Sequence, residues 1–105
     1  MHSLASYIRA IHALPSPVSI SDEQREERRY REGGSEIHSR EAIYRFDNGV
    51  RLRQHCERDL LPHEQACEEC WIGYEVQDAA GQDIRPRHKH FSNACQERFW
   101  LRMHA

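Results

Sequence analysis

Side-chain alternation around Asp47-Asn48-Gly49 constrains this chain more than any other feature. In residues 36–56 the apolar Ala42, Tyr44 and Phe46 recur at every second position, and Val50 and Leu52 resume the pattern past the Asp-Asn-Gly triplet. Period two belongs to a β-strand with one buried face. Two registers can close the hairpin. A two-residue Asn48-Gly49 turn sets Phe46 opposite Arg51 and Arg45 opposite Leu52, mixing apolar and charged residues on both faces. A three-residue loop with Gly49 in the left-handed conformation pairs Phe46 with Val50 and Tyr44 with Leu52. Only the second leaves a single apolar face, and a slip by one residue would turn every side chain over. The second register is therefore expected.

Residues 70–91 repeat the pattern. Ile72, Tyr74 and Val76 alternate, Asp78-Ala79-Ala80-Gly81 makes a turn, and Ile84 resumes the apolar parity. Two consecutive hairpins predict a four-stranded antiparallel sheet in an α+β domain. Pro86 makes the fourth strand an edge, because it cannot donate a ladder hydrogen bond. A helix follows from about Asn93, capped by Ser92 or Asn93, with Ala94, Cys95, Phe99 and Met103 as its buried stripe and Trp100 beside them. At the other end, Leu4, Tyr7, Ile8, Ile11 and Leu14 form a helical stripe that Ser3 can cap and Pro15 and Pro17 end. Between them, Ser21 and Gln24 have capping-box spacing and Gly33-Gly34 can close a helix. Apart from Tyr30 that segment lacks an apolar face, so it reads as a solvated helix or a disordered charged stretch. The expected organisation is one domain over 1–105: a helical and partly mobile segment at 1–35, the hairpins at 36–91 and a terminal helix at 92–105.

The stretch HCERDLLPHEQACEEC at 55–70 joins the two hairpins and holds Cys56, Cys67 and Cys70 together with His55 and His63. In an up-and-down sheet the end of one strand lies beside the start of the next. That places Cys56 next to Cys70, provided the hairpins pair in chain order. With the chosen register, His38, Cys56, Cys70, His88 and His90 all fall on the core-facing parity, and Cys95 opens the last helix at the same end. Zinc takes four thiolate or imidazole ligands. The expected set is Cys56, His63, Cys67 and Cys70, with His88, His90 and Cys95 as alternates. Against it, the chain has a single Cys-x-x-Cys, and the spacing Cys56-x10-Cys67-x2-Cys70-x24-Cys95 fits no standard finger or ribbon. Core packing of plain thiols is the simpler reading, since free cysteines are among the most buried side chains. A thiol redox protein is a third reading, with Cys67 and Cys70 forming a reversible disulfide. Glu68 and Glu69 between those thiols disfavour a reactive thiolate, and Cys95 near a helix N-terminus is the better thiolate candidate.

The opposite parity carries Arg45, Arg51, Arg53, His55, Arg85, Arg87 and Lys89 against Glu41 and Glu75. The basic residues form a candidate surface for an anion, an acidic partner or RNA. Only Phe91 offers itself there for base stacking. The bland alternatives are solvated arginines, or cover by the acids Glu57, Asp59, Glu64, Glu68 and Glu69.

Composition limits the function classes. Of the 15 basic residues only Lys89 is not arginine, and the net charge of −2 argues against a surface built wholly for nucleic acid. No apolar run approaches the roughly 20 residues that span a membrane. The N-terminal residues, interrupted by Arg9 and His12, do not make a signal peptide. A cytoplasmic, reducing setting is expected, in which clustered cysteines are more often ligands or thiols than disulfides. There is no phosphate-binding glycine loop, nucleophile elbow or His-Glu-x-x-His. The expectation is a small intracellular non-enzymatic binding or regulatory module with a protein partner, open to homodimer formation, with a structural zinc as its one candidate cofactor.

Overall fold

A computed structural model describes residues 2–59 and 69–104. The chain runs β1 (His2–Ser3), α1 (Leu4–Ile11), β2 (Ile20–Glu32), β3 (Ser35–Phe46), β4 (Arg51–Asp59), β5 (Glu69–Asp78), β6 (Ile84–Arg85), β7 (His88–Asn93) and α2 (Ala94–Met103). Five strands form one antiparallel sheet in the order β2-β3-β4-β5-β7. β1 and β6 form a separate two-stranded parallel pair, with His2 opposite Ile84. The expected α+β class, antiparallel sheet and two terminal helices hold.

The β3–β4 hairpin has the expected register. Tyr44 lies opposite Leu52, Phe46 N–H donates to the Val50 carbonyl at 2.9 Å, and Gly49 takes φ +91°. A side chain at that φ would be strained, which is why the loop has glycine there. Ala42, Tyr44, Phe46, Val50 and Leu52 are all buried. α1 starts at its expected cap, with the Ser3 hydroxyl accepting from Ala5 N–H at 3.2 Å. Leu4, Ala5, Tyr7 and Ile8 face the core, and the Tyr7 ring meets Phe46 edge-on at 4.9 Å. The helix ends at Ile11, so Leu14 is exposed instead of completing the stripe.

Three expectations are corrected. First, the charged segment after Ser21 is neither helix nor disordered: it is the 13-residue edge strand β2, paired along β3. Gly33 and Gly34, with φ +58° and +83°, form the two-residue hairpin turn instead of a helix end. Every residue from Ser21 to Arg31 is exposed, so neither face of β2 has an apolar period to reveal it. Charges along an exposed edge also discourage further strand pairing.

Second, the expected fourth strand is broken. β6 and β7 are separated by Pro86-Arg87, and the alternation slips by one residue between Ile84 and Phe91, both buried. His88 and His90 consequently leave the core-facing side, while Lys89 and Phe91 take it. Third, the buried line of α2 runs through Glu97 and Leu101. Phe99 and Met103 are exposed, and Ala94 is as well. Of the two expected caps, Ser92 and Asn93, the helix takes Asn93, whose side chain accepts from Gln96 N–H at 2.8 Å.

α1 and α2 lie on one face of the sheet, and among the described residues nothing covers the other.

Candidate functional site

Two groups of chemistry-bearing side chains sit on opposite faces of β4 and β5. On the helix-covered face, the Sγ atoms of Cys56 and Cys70 are 3.0 Å apart, and both cysteines are free thiols. Their adjacency follows from register: Cys56 pairs with Ile72 and Arg58 with Cys70, so the thiols are diagonal neighbours across β4–β5. Arg40 of β3 lies directly opposite Cys56. Each thiol thus has an arginine as a direct cross-strand neighbour on its own face. Cys56 is buried at 8% exposure, and Cys70 is half-buried.

This environment splits the two titrations. The hydrogen bond with Cys70 holds the Cys56 thiol down to about 7, against the opposing effect of burial, and the charges of Arg40 and Arg58 help. The same hydrogen bond, burial and the charge on Cys56 push Cys70 up. The pair therefore ionises in two steps that belong to both thiols together.

A polar chain crosses the core beside the thiols. The Tyr44 hydroxyl donates to Gln54 Oε1 at 3.4 Å, Gln54 Nε2 donates to the Tyr74 hydroxyl at 3.0 Å, and Tyr74 donates to Glu97 Oε2 at 2.9 Å. Glu97 Oε1 is in turn bound by His12 Nε2. Gln54 and Glu97 are each 4% exposed. Burial, followed by the charge of Glu97, pushes the Tyr74 phenol well above its ordinary value, so it stays protonated and keeps donating. Burial also raises Tyr44, against the charge of Arg25. Sequence reading missed this network because an acid does not mark a buried stripe. Its one trace is that Glu97 and Leu101 are four residues apart, on one helix face.

On the open face, Arg53, His55, Trp71, Gly73, Arg87 and His90 line a shallow depression of about 760 Å3 between β4, β5 and β7. Trp71 is 62% exposed. Gly73 forms the floor, opposite His90 in register, and a Cβ there would come within 3.0 Å of His90 Cδ2. Arg53 is held by Glu41 and lies 4.0 Å from Glu75. That guanidinium holds the Glu41 carboxyl below its usual range. His55 lies 3.3 Å from Ser39 Oγ and 3.4 Å from Glu57. The aromatic residues on this face are Trp71 and, towards the β2 edge, Tyr30, whereas Phe91 is buried on the other side.

The expected site residues are therefore divided. Cys56 and Cys70 meet, as chain-order pairing of the hairpins requires. His63 and Cys67 lie outside the described residues. His88 and His90 are on the open face, across the sheet from the thiols, because of the slip at Pro86-Arg87. Cys95 lies in the first turn of α2 and is disulfide-bonded. Among the described residues, no group of three or more His, Cys, Asp and Glu side chains is placed to hold a metal ion.

The six basic residues do not form one surface. Arg53 and Arg87 line the depression. Arg45 lies opposite Arg51, whose buried Nε has no hydrogen-bond partner among the described residues. Arg85 is turned to Asp83 at 3.1 Å. Lys89 is on the helix-covered face, its Nζ 5.7 Å from the Phe91 ring centroid and 5.9 Å from that of Trp100.

Fold and site together define a small α+β domain, with a thiol pair on the covered face of its five-stranded sheet and an aromatic, imidazole-lined depression on the open face. Compared with known proteins, the chain matches no family model, no curated protein and no solved structure. No helix among the described residues is long and apolar enough to cross a membrane.

Proposed function

We propose that this chain is a non-enzymatic binding module that receives a protein segment in the depression on its open sheet face. One observation carries the reading: Trp71 stands 62% exposed beside the side-chain-free floor at Gly73. An exposed tryptophan next to a concavity is the kind of anchor that dominates protein interfaces, and arginine is the other enriched type. Arg87 at the rim suits a carboxylate, so the favoured segment has an apolar residue flanked by acids. The face suits protein better than nucleic acid, because Glu41, Glu57 and Glu75 are interspersed with its cations and Arg53 is already occupied.

Peptide display against the folded protein, counter-screened on Trp71→Ala, tests the reading. Selected peptides should carry acidic and apolar residues and lose at least about tenfold in affinity on the variant, a change of about 1.4 kcal/mol. Peptides that bind both proteins equally would refute it.

A structural zinc at the sheet end is a second reading, favoured by the adjacency of Cys56 and Cys70, which would supply two of four ligands. Elemental analysis of protein purified without a histidine tag decides it. Substoichiometric zinc with melting unchanged by chelator would exclude it.

A further inference from the structure

We infer that Cys56 and Cys70 form a peroxide-oxidised dithiol in which Cys56 reacts first and Cys70 closes the disulfide. The inference does not depend on the reading of the open face.

Geometry carries it. The two sulfurs are 3.0 Å apart, so a resolving thiol already waits at the sulfur that is attacked. Arg40 opposite Cys56 and Arg58 opposite Cys70 surround the pair with positive charge from both neighbouring strand positions. Packing alone gives no reason to set guanidinium groups beside core thiols, whereas a thiolate is stabilised by them. Cys56 has two of them on its own face, Arg40 directly across from it and Arg58 two residues along β4, so the first negative charge is favoured there.

Access selects the oxidant. At 8% exposure, Cys56 is better suited to an oxidant as small as hydrogen peroxide than to a bulky disulfide. The Cys56 thiolate attacks one peroxide oxygen, the O–O bond breaks, and the departing hydroxide takes up a proton to leave as water. Cys56 is then a sulfenic acid. Cys70 gives up its proton and its sulfur attacks the Cys56 sulfur; the S–OH bond breaks and a second water leaves. Two thiols have lost two electrons and two protons, and peroxide has gained both.

The test treats the purified full-length protein with hydrogen peroxide near neutral pH, removes the excess with catalase, blocks remaining thiols and maps peptides without reduction. A Cys56–Cys70 linked peptide that dithiothreitol reverses is expected. Its formation should be about tenfold faster than oxidation of free cysteine, given the arginines placed beside the thiol. In Cys70→Ser, the reaction should stop at a sulfenic acid on Cys56 that dimedone traps. Arg40→Gln and Arg58→Gln should each slow the wild-type reaction several-fold.

Three results would overturn the inference: no Cys56–Cys70 peptide in the wild type, dimedone labelling of Cys70 instead of Cys56 in the respective single variants, or stoichiometric zinc on both thiols as purified. Because the wild-type reaction is itself a readout, misfolding of a cysteine variant cannot rescue the idea.

Discussion

The Tyr74 hydroxyl donates a 2.9 Å hydrogen bond to Oε2 of Glu97, tying the middle of β5 to the buried line of α2. Glu97 is 4% exposed, and a carboxylate at that depth is tolerated only because Tyr74 and His12 both bind it.

Removing the phenol therefore strips Glu97 of one donor and Gln54 of its acceptor. Tyr74→Phe should lower unfolding stability by about 1–3 kcal/mol, read from urea denaturation at neutral pH. A sign also follows for pH. The folded state raises the phenol above its unfolded value of about 10, so the stabilisation is full below that value and lost as pH rises through the folded one. The wild type should weaken above about pH 10 in a way that Tyr74→Phe does not.

The Arg53–Glu41 pair on the open face has the opposite sign. Arg53 depresses the carboxyl of Glu41, whose contribution is present above the unfolded value of about 4.3 and lost as pH falls through the folded one. Both side chains are about a third exposed, so the effect of Glu41→Gln at pH 7 should stay below about 1 kcal/mol. The gap between variant and wild type in denaturation midpoint should close as pH falls below the ordinary carboxylate range. A gap that persisted there would assign the effect to packing.

The two-residue turn at Gly33-Gly34 should control β2 alone. Gly34 has φ +83°, and a β-branched residue there faces a cost of about 1–2 kcal/mol. Since β2 is exposed on both faces, Gly34→Val should reduce amide-exchange protection in β2 and its partners in β3 while leaving β4 and β5 protected. Gly33→Asn, which suits the turn, should leave protection intact.

At Gly73 the neighbour is a ring, not a backbone. A Cβ would meet His90 Cδ2 at 3.0 Å and Nε2 at 3.3 Å, so Gly73→Ala must displace the imidazole. The expected result is a shift of the His90 ring resonances, a shallower depression and a stability change of about 1–3 kcal/mol. Unmoved His90 resonances would contradict the close approach.

Some of this was legible without coordinates. Gly49 and the parity of Tyr44, Phe46, Val50 and Leu52 identify one hairpin register, because only one leaves a single apolar face. The same reasoning brings Cys56 beside Cys70, since strand ends meet in a meander. It misplaces His88 and His90, because parity carried forward from Ile84 does not survive Pro86-Arg87. It also misreads β2, whose alternating charges have no apolar period and whose Gly33-Gly34 turn resembles a helix end. The exposed Trp71 and the buried Glu97 invert the usual hydropathy signal, so pattern reading passes over both.

What the sequence determined by itself is local: the hairpin turn at Gly49, the cap at Ser3, and the face to which each uninterrupted strand turns its apolar side chains. Those features depend on backbone preference and on an alternation of two, and both act over a few residues. The tertiary structure alone decided the partner of β2, the slip before β7 and the burial of Glu97. Each of these depends on hydrogen bonding and desolvation across segments far apart in the chain, where no local pattern selects the partner.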